Sequence, residues 1–301
     1  MSHTRIVRVM DSVAPMEQAR HGTFIAGRSL SSASPHQLYV QSHRLIRNAC
    51  QEERRPGLFV FALHPEVGLV GRLWLSATEA PRAGTLGRHH VVDLPITRDG
   101  ALSLRHVLFV VRTVEGRVRF SSLDLETPGG VHTVLGPQHA TESERPLLLR
   151  TAQLSFFCVP TGLACALPAM ADDAWRAFDE VPPAPEVGRW AWLKKRPEPS
   201  VGVLTLRLAS GVFAMPVDEA MAKRGVLIGR DERCEVVIPD NYVSRVHAVV
   251  LSIDGVPHLV DCGSSNGVWH RATDEQARCW RLTDGDVFQL GNATLDWHAV
   301  Q

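Results

Sequence analysis

Short apolar segments separated by tight turns dominate the last hundred residues of this 301-residue chain. Gly and Asp residues stand between these segments, which run over Val203–Leu208, Gly225–Gly229, Glu235–Ile238, Val246–Ile253, Pro257–Asp261 and Val287–Leu290. No helix-length periodic segment interrupts the series. Several strands of this length with such turns are typical of an antiparallel β-sandwich. We therefore expect an all-β domain over residues 201–301.

Three stretches precede this domain. Residues 1–56 contain one helical pattern, which Ser34 can cap and which places Leu38, Ser42, Leu45 and Ala49 on one face. We interpret it as a packing helix in an amino-terminal extension. Residues 57–168 again show the alternation of short strands, most clearly at Leu69–Leu75, Val107–Val111 and Leu154–Val159. This pattern predicts a second strand-rich region, and its likeness in outline to the last domain implies a second β-sandwich, so the fold class is mainly all-β with two tandem sandwiches.

Residues 169–200 are predicted to connect the two sandwiches. A short helix is expected at Ala169–Glu180, where two Asp residues lie near its amino-terminal end. Five prolines lie between Val181 and Val201, a composition typical of a stiff, extended linker.

Composition excludes several classes of protein. Apolar residues make up 45% and charged residues 21% of the chain, a balance typical of a globular protein. The 32 basic and 32 acidic residues cancel, which argues against a nucleic-acid or membrane-surface partner. Six cysteines without a C-x-x-C pair favour reduced thiols. Neither a signal peptide nor an apolar run of about 20 residues is present, so we expect a cytoplasmic protein. The preference for arginine over lysine suggests a bacterial source.

Five polar residues occupy the turns of the last domain: Arg230, Ser244, Arg245, Ser265 and Asn266. Strand ends of a sandwich gather at two poles, so turns that are distant in sequence can converge. Guanidinium groups match phosphate oxygens with forked donors, and a hydroxyl adds a hydrogen bond. A carboxamide can hold the main chain of an extended peptide. The set therefore indicates capture of a phosphopeptide.

The same domain resembles the forkhead-associated (FHA) family. The likeness is carried, in order, by Gly229-Arg230, Ser244-x-x-His247, Ser265-Asn266-Gly267 and Leu282-x-Asp284-Gly285-Asp286-x-Phe288-x-Leu290-Gly291. It covers about a hundred residues. Each motif alone is common, whereas four in register are specific. The resemblance implies an eleven-stranded sandwich that binds phosphothreonine with the loops at one pole.

Family roles then follow for the individual residues. Arg230 and Ser244 would hold the phosphate, with Arg245 and Ser265 assisting. Asn266 would hold the peptide backbone beside the phosphorylated residue.

Three further residues would be structural in such a domain: Gly229, His247 and Gly267. His247 would brace the binding loops, and Gly267 would permit a turn with positive φ. Val268 departs from the family, which usually has Thr after Asn-Gly, but that position is mainly one of packing.

Residues 57–168 repeat the pattern in outline and resemble a diverged FHA-like copy. Gly87-Arg88 corresponds to Gly229-Arg230, Ser103-x-x-His106 to Ser244-x-x-His247, and Val92–Pro95 to Val236–Pro239. The Ser-Asn pair reads Pro128-Gly129, so this copy lacks the carboxamide. We expect it to have a structural or protein-contact role, although residual anion binding at Arg88 and Ser103 stays open.

The leading hypothesis is an adaptor in Ser/Thr kinase signalling that binds a Thr-phosphorylated protein, either a kinase or a kinase substrate. The alternative is a scaffold of tandem sandwiches that assembles without phosphate, as in a bacterial secretion or envelope complex. No nucleotide-binding loop, nucleophile elbow or metal-binding helix motif occurs. We therefore expect neither an enzyme nor a cofactor or metal. Thr141 is a candidate intramolecular phosphorylation site.

Overall fold

The computed structural model describes residues 5–6, 33–97, 99–133, 136–151, 153–162, 167–179 and 199–300. Most of the predicted proline-rich linker falls outside these residues. Within them the chain forms two β-sandwiches in tandem, as the sequence predicts.

The amino-terminal sandwich is built from two sheets. Its strands are β1 (Arg5–Ile6), β2 (Gly57–His64), β3 (Gly68–Ser76), β4 (Arg82–Gly87), β5 (Leu94–Pro95), β6 (Val107–Val114), β7 (Arg117–Asp124), β8 (Val131–Thr133), β9 (Gly136–Gln138), β10 (Ala140–Ser143), β11 (Leu147–Thr151) and β12 (Leu154–Thr161). The outer sheet has the order β1-β3-β2-β12-β11-β8-β9, and the inner sheet has the order β10-β7-β6-β4-β5.

The carboxy-terminal sandwich repeats this design. Its strands are β13 (Ser200–Leu208), β14 (Gly211–Asp218), β15 (Val226–Gly229), β16 (Val236–Val237), β17 (Ala248–Ile253), β18 (Val256–Asp261), β19 (Trp269–His270), β20 (Glu275–Gln276), β21 (Cys279–Arg281), β22 (Val287–Leu290) and β23 (Ala293–Ala299). The outer sheet runs β14-β13-β23-β22-β19-β20, and the inner sheet runs β16-β15-β17-β18-β21. In both sandwiches the strands pair antiparallel except for one short parallel pair, β4 with β5 and β15 with β16.

Each sandwich buries its own apolar core between its two sheets. Phe109, Phe120 and Phe156 lie in the amino-terminal core, and Phe288 and Trp297 lie in the carboxy-terminal one. Five of the six cysteines lie in the described residues, where all five are free thiols and four are buried. Burial raises the pKa of the Cys234 thiol to about 12.

Two helices cover the outer sheet of the amino-terminal sandwich: α1 (Pro35–Glu52) and α2 (Ala171–Asp179). Ser34 caps α1 as predicted, and its hydroxyl accepts from the N–H of Gln37. Tyr39 and Ile46 are completely buried, whereas Leu45 of the predicted face is 45% exposed. The buried face of α1 is therefore rotated by part of a turn from the predicted face. No helix among the described residues is long and apolar enough to cross a bilayer.

The two inner sheets pack against each other and form a further apolar cluster. Its members come from both sandwiches: Ala83, Leu108, Val110, Leu123 and Leu125 from the first, and Leu227, Cys234, Val246, Val249, Leu251, Ile253, Val260 and Cys262 from the second. Equivalent strands supply both sides, as in an interface between two copies of one protein. The tandem sandwiches therefore form an internal pseudo-dimer.

Polar contacts at the edges of this interface also join the sandwiches. Arg112 forms a two-pronged ion pair with Asp254 across the interface. Arg278 contacts Asp93 at 2.6 Å. Charge-assisted pairs of this kind add orientation to an interface that the apolar contacts stabilise.

A third helix, α3 (Glu219–Arg224), follows β14 and starts at Asp218, whose carboxylate accepts from the N–H of Met221. Its six residues are too few to give a periodic pattern, and neither α3 nor β14 is predicted from the sequence. Thr141 lies buried in β10, where its hydroxyl hydrogen-bonds Ser122 at 2.6 Å. The idea that it is a phosphorylation site is therefore wrong for the folded protein.

Candidate functional site

Three loops meet at one pole of the carboxy-terminal sandwich. They follow β15, precede β17 and follow β18. The backbone N–H of Arg230 donates to the carbonyl of Ser244 at 2.9 Å, which ties the first loop to the second. The N–H of Ser265 donates to the hydroxyl of Ser244 at 3.2 Å, which ties the third loop to the second. The structure thus brings together residues that the sequence separates by up to 35 positions.

Side chains of the site converge on the segment before Ser244. The Nε of Arg230 donates to the Val243 carbonyl at 3.3 Å, and the amide of Asn266 donates to the Tyr242 carbonyl at 2.7 Å. Arg230, Ser265 and Asn266 are all exposed. The pole therefore presents a guanidinium, hydroxyls and a carboxamide side by side, held by bonds to one short segment.

The buried side chain of His247 holds two of these loops in place from inside the domain. Its Nδ1 accepts the N–H of Ser244 at 3.0 Å, so Nε2 carries the proton and donates to the Gly267 carbonyl at 3.0 Å. Burial lowers the pKa of His247, which keeps the imidazole in this neutral form. The histidine thus connects the second and third loops.

Gly229 is required by the close approach of two backbones. A Cβ at this position would lie 2.1 Å from the carbonyl oxygen of Arg245, which is too close for any side chain. Gly267 has φ of 77° and therefore adopts a conformation that other residues rarely reach.

Sequence reasoning missed one residue that supports the site. The carboxylate of Asp240 accepts from the N–H of Tyr242 at 2.9 Å and from the N–H of Asn292 at 2.7 Å. These bonds lower the pKa of Asp240 and fix the segment that Arg230 and Asn266 contact. The Pro-Asp-Asn sequence at residues 239–241 is a turn signal that marks this position.

Arg245 lies beside the amino-terminal sandwich. Its side chain lines a groove beside Ser103, Leu104 and Arg105 of the amino-terminal sandwich. No hydrogen bond or ion pair joins it to Arg230 or Ser244 in the part of the chain that the structure describes. Its predicted assisting role at the phosphate site stays a prediction.

The amino-terminal sandwich reproduces the loop hydrogen bonds of the carboxy-terminal one. The N–H of Arg88 donates to Ser103, and the N–H of Ser103 donates to Nδ1 of His106 at 3.0 Å. A Cβ on Gly87 would lie 2.3 Å from a backbone oxygen, as at Gly229. Asp124 accepts from Thr127 as Asp261 does from Ser264. The two sandwiches are therefore copies of one fold.

The equivalences also show what the first copy lacks. Pro128 and Gly129 are both exposed and stand where the second copy has Ser265 and Asn266, as predicted. The predicted match of Val92–Pro95 is wrong by two residues. Leu94 pairs with β4 as Val236 pairs with β15, so the equivalent of Val236 is Leu94.

Comparison with known proteins gives one family match. The FHA domain family model matches residues 226–291. No curated protein matches the chain.

Similar solved structures cover about a third of the chain. They include the FHA domain of the CT664 protein from Chlamydia trachomatis (21% identity, 34% of this chain and 100% of that chain, TM-score 0.30). They also include Rv1747 FHA-1 from Mycobacterium tuberculosis (23% identity, 34% and 100%, TM-score 0.28). A third is Mycobacterium tuberculosis EmbR in complex with a low affinity phosphopeptide (29% identity, 32% and 24%, TM-score 0.28). The match to the family model identifies residues 226–291 as a forkhead-associated domain, which the chain pairs with a diverged copy of the same fold.

Proposed function

We propose that the protein is a phosphothreonine-dependent adaptor that binds a phosphorylated protein partner in Ser/Thr kinase signalling. The observation that supports this most strongly is the convergence of Arg230, Ser244 and Asn266 on one segment at the pole of the FHA domain. A binding role needs no catalytic group, and the site consists of hydrogen-bond donors and one exposed positive charge.

Each group has a distinct task in this proposal. The Arg230 guanidinium neutralises the phosphate dianion with forked donors. The hydroxyls of Ser244 and Ser265 add hydrogen bonds to the remaining phosphate oxygens. The Asn266 carboxamide binds the main chain of the extended peptide. His247 and Gly229 hold the loops in place and do not contact the ligand.

Titration of phosphothreonine peptides onto the full-length protein tests this function. A phosphothreonine library identifies a binding peptide, and its affinity is then measured by fluorescence anisotropy. A charge-assisted hydrogen bond contributes about 1.5–3 kcal/mol, so Arg230→Ala should weaken binding at least tenfold. Arg230→Lys should recover only part of this loss, because an ammonium lacks the forked geometry.

The matched control is Arg281→Ala, which removes another exposed arginine of the same domain, on β21. It should leave peptide affinity unchanged. Equal affinity for phosphorylated and unmodified peptide would refute the proposal. That result would favour the alternative of a phosphate-independent scaffold, for which the packed pair of sandwiches provides a rigid body.

A further inference from the structure

A groove of about 370 Å³ lies between the two sandwiches, next to the loops of the amino-terminal copy. Both sandwiches contribute to its walls. The amino-terminal copy supplies Arg88, Ser103 and Arg105, and the FHA domain supplies Arg233 and Arg245. Four of these five side chains carry a positive charge.

Two of the lining residues occupy the positions of the phosphate-binding pair in the FHA domain. Arg88 is equivalent to Arg230, and Ser103 is equivalent to Ser244, as their matching backbone hydrogen bonds show. The side chain of Arg88 is exposed, and its guanidinium has no hydrogen bond or ion pair with any other described residue. Its guanidinium is therefore available to a ligand.

Arg105 adds a buried charge that forms no ion pair with a carboxylate. The side chain is 6% exposed, and its Nε and Nη2 both donate to the carbonyl of Gly263, at 2.8 and 2.5 Å. No acidic side chain lies within ion-pair distance of Arg105 in the described part of the chain. Burial lowers the pKa of this guanidinium, because the charged form is poorly solvated. An anion in the groove would supply the missing countercharge.

Two acidic residues lie at the groove, and Glu126 is part of its lining. The carboxylate of Glu126 lies 3.8 Å from Nδ1 of His139, and Asp231 forms a two-pronged pair with Arg233. That pair lowers the pKa of Asp231 to about 2, so Arg233 is neutralised. The single negative charge of Glu126 does not offset Arg88, Arg105 and Arg245, so the net charge at the groove is positive.

We propose that this groove is a second anion site, which binds a phosphomonoester group between the two sandwiches. Arg88 and Ser103 contact the phosphate from one side, Arg245 contacts it from the other, and Arg105 supplies charge from below. Gly129 stands in place of a carboxamide, so the groove does not clamp an extended peptide backbone. The ligand is recognised by its phosphoryl group, whether free in solution or carried on a side chain.

The proposal does not rest on the function of the pole at Arg230, and the test separates the two. The reference protein is full-length Arg230→Ala, which weakens the pole. Inorganic phosphate is titrated onto it at constant ionic strength, and binding is followed by calorimetry and by the shift in Tm. We expect one saturable site and a higher Tm with phosphate.

Two further variants locate the site in the Arg230→Ala background. Arg88→Ala and Arg245→Leu should each weaken phosphate binding at least tenfold. The second change introduces the residue that the first copy carries at the equivalent position, Leu104. Both arginines are exposed, so the variants should fold. Arg54→Ala, which removes an exposed arginine after α1, should bind phosphate like the reference.

These titrations show whether the groove binds phosphate. Absence of saturable phosphate binding in the reference protein overturns the proposal, as does binding that survives both Arg88→Ala and Arg245→Leu. A second titration, with the phosphothreonine peptide, identifies the source of the phosphoryl group. Tighter binding of the peptide than of phosphate supports a phosphorylated protein, and binding of phosphate alone supports a small free phosphomonoester.

Discussion

The ion pair between Arg112 and Asp254 gives a quantitative test of the packing between the sandwiches. The Arg112 side chain is 4% exposed, and it donates from Nε to Asp254 at 2.6 Å and from Nη2 to the other carboxylate oxygen. A third bond, of 3.0 Å, goes to Glu142 of its own sandwich. Asp254 belongs to the turn between β17 and β18, at φ of 50°.

Asp254→Asn removes the charge and keeps a residue that tolerates positive φ. Two charge-assisted bonds would be worth several kcal/mol in a fully buried site, but the Asp254 side chain is 47% exposed and Glu142 remains. We therefore expect the free energy of unfolding to fall by about 1–2 kcal/mol at pH 7. Urea denaturation followed by tryptophan fluorescence measures it.

A double-mutant cycle with Arg112→Met isolates the pair, because the two residues lie on different sandwiches. Asp254→Asn should cost much less in the Arg112→Met background. An equal cost in both backgrounds would refute the contact and with it the packing described for the inner sheets. Arg112 also lowers the pKa of Asp254, so the pair stabilises the fold above the ordinary carboxyl pKa. The difference between wild type and Asp254→Asn should therefore disappear as the pH falls through the lowered pKa.

Two further predictions concern the buried histidines and the close backbone contact at Gly229. Burial lowers the pKa of His106, His247 and His258, so the unfolded chain takes up protons first, and the free energy of unfolding should decrease as the pH falls below about 6.5. Urea denaturation at pH 7, 6 and 5 measures this decrease, and a flat profile would contradict it. Gly229→Ala should destabilise the FHA domain by several kcal/mol and abolish peptide binding, because its Cβ would meet a backbone oxygen. Gly100→Ala, in open space, is the control, and equal unfolding midpoints would show that reasoning to be wrong.

Much of the fold follows from strand patterns in the sequence, and the exceptions have physical reasons. Val287–Leu290 is predicted with the bounds that β22 has. β14 is missed because its apolar residues Val212 and Phe213 are exposed and a proline interrupts the alternation. The face of α1 is misjudged because two neighbouring stripes are both partly apolar. Packing of Tyr39 against Phe157 and Phe178 favours one of them, and a single sequence does not show those contacts.

The convergence of the site residues could be predicted, because strand ends of a sandwich meet at its poles. The direction of the Arg245 side chain could not be predicted, because it depends on the neighbouring sandwich. The sequence nevertheless contains a pattern that indicates a second packing partner for the inner sheets. Val107–Val111 is apolar at every position, as are the first four residues of β17. In a sheet with one solvent-exposed face, apolar and polar residues alternate along each strand. Such runs indicate burial on both faces.

Because the two sandwiches of the pseudo-dimer belong to one polypeptide, their sequences can diverge independently. The carbonyls of Glu126 and Gly263 occupy equivalent turns, and each accepts a guanidinium from the opposite sandwich, from Arg233 and Arg105 respectively. In a dimer of identical subunits every substitution appears twice, so neither half can specialise. Joining both halves in one polypeptide removes that constraint and keeps them together at any dilution. One half can then change its ligand contacts while it still supports the other by packing against it.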